Sequence, residues 1–103
     1  MGRYVHREEY MRQYELVVIL PSEEEPFRKA KESVTAEIAQ FGAAEVKEED
    51  MGDRPLAYPI RKKERGHYML YKFNLEPNKV IPMERAFKLN TNILKYLLVK
   101  VES

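Results

Sequence analysis

The order in which hydrophobic periodicity changes along this chain limits its fold more than any other feature. Tyr14, Leu16, Val18 and Leu20 alternate with Glu15, Val17 and Ile19. A period of two marks a strand, and apolar residues on both faces mark a central one. Pro21 ends it. Phe27, Ala30, Val34, Ile38 and Phe41 then recur at spacings of three and four, one helical stripe with Lys29, Lys31, Glu32 and Gln40 off it. Ser22 to Glu25 brings three acids to the positive N-terminal end of that helix. Pro26 fits as its first residue and Gly42 as its left-handed stop. From Ala43 to Lys63 the pattern is extended: Val46 sits in a charged stretch, Gly52 breaks the run, and Leu56, Tyr58 and Ile60 alternate around Ala57 and Pro59. Lys62 to Gly66 reads as a charged hairpin turn ending in glycine. Met69, Tyr71, Phe73 and Leu75 share one face of the next strand, and Tyr68, Leu70, Lys72 and Asn74 the other. Asn78 is placed to cap a second helix with the stripe Val80, Met83 and Phe87, Ala86 and Leu89 beside it, and Pro82 in its first turn. A last strand runs from about Ile93 to Val101.

Strand, helix, strand, strand, helix, strand is the order of an α+β, ferredoxin-like split β-α-β (βαββαβ): a four-stranded antiparallel sheet with two helices on one face. The 103 residues suffice for one domain, expected over 12–103 after an N-terminal extension, 1–11. Leu16, Val18, Val34, Ile38, Phe73 and Phe87 are expected in its core. The second face of the sheet has no helix left to cover it. Val17, Ile19, Tyr68 and Leu70 would point there, with either Tyr96 and Leu98 or Leu97 and Val99 from the last strand. An apolar patch of that size marks a docking surface, unless loops or the N-terminal tail fold over it.

Candidate chemistry is sparse. With no cysteine, disulfides, thiolate nucleophiles and thiolate-held zinc are excluded. His6 and His67 lack a second ligand or a carboxylate at useful spacing and read as surface histidines. Glu48, Glu49 and Asp50 would alternate between strand faces, a solvated edge that discourages pairing between molecules. There is no phosphate-cradling glycine loop and no nucleophile motif, so no enzyme is expected. No apolar run reaches a membrane-spanning length, and the polar N-terminus has no signal-peptide core, which points to the cytoplasm. Eighteen basic and 17 acidic residues leave a formal net charge of +1. Bulk charge therefore cannot drive nucleic-acid binding; local clusters or a more basic partner must. Arg61, Lys62, Lys63 and Arg65 crowd one hairpin, Lys88, Lys95 and Lys100 lie near the chain's end, and Arg12 precedes the first strand. Converging on one edge, they would contact phosphate.

Two resemblances bear on this reading. Arg65 to Tyr71 resembles the longer signature of the RNA-recognition motif, with His67 and Met69 where that motif places base-stacking aromatics. Gly52-Asp53-Arg54-Pro55-Leu56-Ala57-Tyr58-Pro59-Ile60-Arg61, with its Leu-Ala-Tyr-Pro-Ile core, resembles the signature of the family of the sixth protein of the bacterial small ribosomal subunit. Arg12-Gln13-Tyr14-Glu15, Gly66-His67-Tyr68 and the stretch from Asn92 to Lys100 are similar to that family's pattern as well. The likeness runs from about Met11 to Val101. Pro55 departs from a polar position, Asn90 and Leu94 from basic ones, and the first ten residues have no counterpart in the short form of the family.

The resemblance implies a structural constituent of the small subunit, without a cofactor, that binds the central domain of 16S ribosomal RNA. It also implies a heterodimer with the eighteenth small-subunit protein, a small basic chain. On this reading Arg12, Arg61, Lys88, Asn92, Lys95 and Lys100 are the candidates for RNA, and Tyr58, Tyr68, Leu70, Leu97 and Val99 for the partner. A ferredoxin-like regulatory module that binds a small ligand or self-associates through its sheet is the alternative.

Overall fold

The computed structural model describes residues 10–102. The expected extension falls outside the described residues up to residue 9, and His6 with it. In chain order the elements are β1 (Arg12–Leu20), α1 (Glu24–Gln40), β2 (Ala44–Ile60), β3 (Lys63–Leu75), a 3₁₀ turn (Pro77–Lys79), α2 (Val80–Leu89) and β4 (Lys95–Lys100). The sheet order is β2-β3-β1-β4, and each neighbouring pair is antiparallel. This is the ferredoxin-like arrangement, with β1 central as its two apolar faces require.

Tyr14, Leu16, Val18 and Leu20 of β1 and Met69, Tyr71, Phe73 and Leu75 of β3 are buried with Ala30, Val34 and Ile38 of α1 and Met83 and Phe87 of α2. All six expected core residues lie in this layer. On β4, Tyr96 and Leu98 pack against it, so the opposite parity, Leu97 and Val99, faces out. Leu89, expected beside the stripe of α2, is 76% exposed.

Several local expectations are corrected. α1 begins at Glu24, so Pro26 is its third residue rather than its first. Its missing N–H still falls among the unpaired donors of the first turn. Asn78 makes no side-chain cap; it sits inside the 3₁₀ turn that leads into α2. β4 is shorter than read, because the chain from Asn90 to Leu94 turns back before it pairs. Asn90 Oδ1 accepts the Asn92 N–H (2.9 Å), and the Leu94 N–H donates to the Ile19 carbonyl (2.8 Å). Gly52 does not end β2. It takes φ +90 at a bulge, its N–H donating to Asp50 Oδ1 at 2.8 Å.

The largest correction concerns the β2–β3 hairpin. The turn is the two residues Arg61 and Lys62, with φ of 50 and 65, between paired Ile60 and Lys63. Positive φ at both central positions matches the twist of the flanking strands, at the expense of local strain for side chains other than glycine. Gly66 lies inside β3 instead. A β-carbon there would overlap Ile19 Cγ2 and touch Leu56 Cδ2, so glycine is required by packing.

β1 ends at Leu20, opposite His67, so residues 54–66 form an arm beyond it. Pro55 pairs with Arg65 and Ile60 with Lys63, so Leu56, Ala57, Tyr58 and Pro59 stand opposite Glu64 alone. Neither proline can donate to a ladder, which favours such a bulge. The Leu-Ala-Tyr-Pro signature is therefore the bend of this arm. Its tip returns to the body: Arg61 donates to the Thr91 carbonyl at 2.7 Å, and Lys95 to the Tyr58 hydroxyl at 2.9 Å.

Candidate nucleic-acid and partner interface

The register divides the uncovered face into three rows. Lys95, Ile19, Tyr68 and Gly52 form the row nearest the arm; Leu97, Val17, Leu70 and Glu49 the middle one; Val99, Glu15, Lys72 and Lys47 the far one. Leu97 is 61% exposed, and Val17, Tyr68 and Leu70 are partly so. Ile19 is buried although it points away from the helices. The arm crosses this end of the face, so a local segment covers one corner and leaves the middle row open.

Four of the five expected docking residues, Tyr68, Leu70, Leu97 and Val99, share the face. Tyr58 comes from the arm and stands on Lys95. The Lys95 ammonium lies 5.4 Å from the Tyr58 ring centroid, and the Arg54 guanidinium 5.8 Å from that of Tyr68. The hydrogen bond and charge of Lys95 hold the Tyr58 phenol below its ordinary pKa, and the same bond raises that of Lys95. Arg54, absent from the expected residues, joins this face through Tyr68. Its position inside the quoted signature was the available signal, but its reach to Tyr68 depends on the Gly52 bulge.

The six expected RNA residues separate into two groups. Arg61, Lys88 and Lys95 line one groove of ≈ 240 Å³ with Asn90 and Tyr96, and Asn92 lies in the adjoining loop. Lys100 sits five steps further along β4 than Lys95, about 17 Å at ~3.3 Å per residue. Lys100 pairs with Tyr14 at the end of β1 where Arg12 begins, and its parity is that of the helix-facing row. Arg12 donates to the Met11 carbonyl at 3.0 Å. Arg12 and Lys100 are thus at the far end and on the other side. Asn90, where a basic residue was expected, braces the core: its side-chain amide donates to Ser33 Oγ (3.1 Å) and Glu37 Oε1 (2.8 Å) on α1.

His67 is not the unpartnered surface histidine expected. Its ring stacks on Phe27 at 4.0 Å between centroids and its Nε2 lies 2.6 Å from Asp50 Oδ1. Asp50 stands opposite Met69, diagonal to His67 across the β2–β3 ladder, and Phe27 comes from α1, relations that sequence spacing does not display. Glu48 likewise pairs with Lys31 of α1 at 3.1 Å, so two of the three consecutive acids on edge strand β2 are engaged. No cluster of histidine and carboxylates among the described residues could hold a metal ion.

Residues 13–100 match the family described as Ribosomal protein S6. The chain belongs to that family. It is 40% identical over 92 residues to the small ribosomal subunit protein bS6 of Treponema denticola, covering 89% of this chain and 99% of that one. It is 34% identical over 93 residues to the protein of the same name from Treponema pallidum, covering 90% and 100%. The crystal structure of 30S ribosomal protein S6 from Thermotoga maritima superposes with a TM-score of 0.72 at 25% identity, covering 88% of each chain. Membership makes the chain a small-subunit ribosomal protein of the S6 family, whose place is in the ribosome in the cytoplasm.

Proposed function

We propose that this S6-family chain is a structural, non-catalytic component that binds the central domain of 16S ribosomal RNA jointly with the eighteenth small-subunit protein. The observation that carries the reading is the uncovered apolar row Leu97, Val17 and Leu70 beside the cationic groove of Arg61, Lys88 and Lys95. Removing Leu70, Leu97, Val99 and the Tyr68 ring from water would supply the docking energy. The basic partner would add the positive charge that a net charge of +1 lacks. Arg61, Lys88, Lys95 and Asn92 would meet phosphate at the arm end, and Arg12 and Lys100 would serve a separate contact at the opposite end.

The experiment measures binding to a central-domain RNA fragment across a salt series, with the chain alone and with its partner. The expected result is weak binding alone and specific binding by the pair. A nanomolar complex of the isolated chain at physiological salt would overturn the shared-binding reading, because few phosphate contacts release few counterions.

A further inference from the structure

Tyr58 is a large aromatic residue on a bulged arm, yet it is 57% exposed. Burial does not account for its position. The arm that carries it is tied down on both sides, by Arg61 to the Thr91 carbonyl and by the packing of Leu56 and Ile19 around Gly66. The ring is therefore presented rather than loose.

The location of Lys95 leaves that ring usable. Its ammonium is 2.9 Å from the phenolic oxygen and 5.4 Å from the ring centroid. The difference is nearly the whole distance from ring centre to oxygen, so the cation lies off the hydroxyl edge and not above the ring. An aromatic face is left to solvent with fixed positive charge at its rim. Arg61 adds a second cation at the same corner; its guanidinium has five N–H donors, of which the Thr91 bond uses one. Neither Lys95 nor Arg61 has a carboxylate partner among the described residues. Beside them, Arg54 is held over Tyr68 by donating to the Met51 carbonyl at 3.1 Å.

A π face bordered by unpaired cations fits an unstacked base attached to phosphate. It does not fit a duplex, whose bases are stacked on one another and whose major groove is closed to side chains. We propose that this corner takes one unpaired RNA nucleotide, its base stacked on Tyr58 and its phosphates on Lys95 and Arg61. This inference rests on the RNA-binding reading above and names the element of RNA that the site selects.

Tyr58→Leu removes the π face and keeps an apolar side chain; Tyr58→Phe keeps the face. With the partner present, Tyr58→Leu should lower affinity for the RNA fragment about tenfold to a hundredfold, the range for one stacked base. Tyr58→Phe should stay within about threefold of the parent, both variants should keep the parent's salt slope, and neither should alter heterodimer affinity. Unchanged RNA affinity in Tyr58→Leu overturns the proposal, as does an equal loss in heterodimer affinity, which would make Tyr58 a docking residue. A second arm uses the full chain alone, following the Tyr58 ring signals by NMR as hexauridylate or a short RNA duplex is added. Shifts with the single strand and not the duplex support the stacking site; equal shifts, or none, overturn it. If the unaltered pair fails to bind the fragment, the joint-binding reading falls by itself and this arm still decides the stacking site.

Discussion

Gly66→Ala tests whether the arm is seated on the body of the protein as the structure has it. The added methyl would occupy the space of Ile19 Cγ2 and come within contact of Leu56 Cδ2. Ile19 has little free space to yield into, because it is itself only 9% exposed on the far face of the sheet. It must leave its rotamer, at about 0.5–1.5 kcal/mol, or the arm must lift. Overpacking of this kind costs about 1–3 kcal/mol, and that is the expected loss in urea unfolding. Ile19→Leu removes the branch methyl that collides and keeps the side-chain volume, so alone it should cost under about 1.5 kcal/mol. Combined with Gly66→Ala it should recover part of the loss, and the two changes should not add. Additivity within about 0.5 kcal/mol would show that the two positions do not touch. A Gly66→Ala loss below about 0.5 kcal/mol would refute the requirement for glycine at this position.

Four further outcomes are expected. Ile38→Ala should cost about 2–5 kcal/mol in the same assay, since Ile38 is fully buried between α1 and the sheet; a loss under about 1 kcal/mol would remove it from the core. Leu70→Ala should weaken the heterodimer with little salt dependence, whereas Lys95→Ala should reduce the salt slope of RNA binding by the pair by about 0.7–0.9; an unchanged heterodimer in the first case, or an unchanged slope in the second, removes the residue from its role. The hydrogen bond from His67 holds the Asp50 carboxyl below its ordinary pKa, so its contribution is full above the unfolded value of about 3.9 and is lost as pH falls through the folded value. Asp50→Asn should therefore flatten the fall in urea midpoint below about pH 4; an acid dependence identical to the parent's would show that the His67 contact is not formed in solution.

The parts of this fold legible in the sequence are those set by periodicity. The alternation of Tyr14, Leu16, Val18 and Leu20 determines which side of β1 meets the helices, and β3 follows with Met69, Tyr71 and Phe73. Once two helices are counted, the open face and its Leu70 follow. Tyr96 and Leu98 against Leu97 and Val99 was a choice between parities that one register pair, Val17 with Leu97, decides. The arm was not legible, because its shape depends on backbone states with weak sequence marks. Arg61 and Lys62 take positive φ without the glycine or asparagine that usually announces such a turn. Gly66, which does suggest a turn, is present for a close approach to Ile19.

The near-neutral net charge hides a segregation that only the folded chain displays. Four of the cations on α1 and the hairpin are matched: Arg28 with Glu25 and Glu32, Lys31 with Glu48, Lys63 with Glu23, Arg65 with Asp53. Those pairs are solvent-exposed and add little stability. Their consequence is electrostatic: much of the acid on β2 and α1 lies against nearby lysine and arginine. Arg61, Lys88 and Lys95 have no such carboxylate among the described residues, and they share one groove. Positive charge therefore concentrates at the arm end of the sheet although the chain total is +1. A net charge of +1 offers no bulk charge to coat nucleic acid, yet that total does not reveal this corner. Pairing 40 residues apart, as between Glu23 and Lys63, decides which charges remain to meet phosphate.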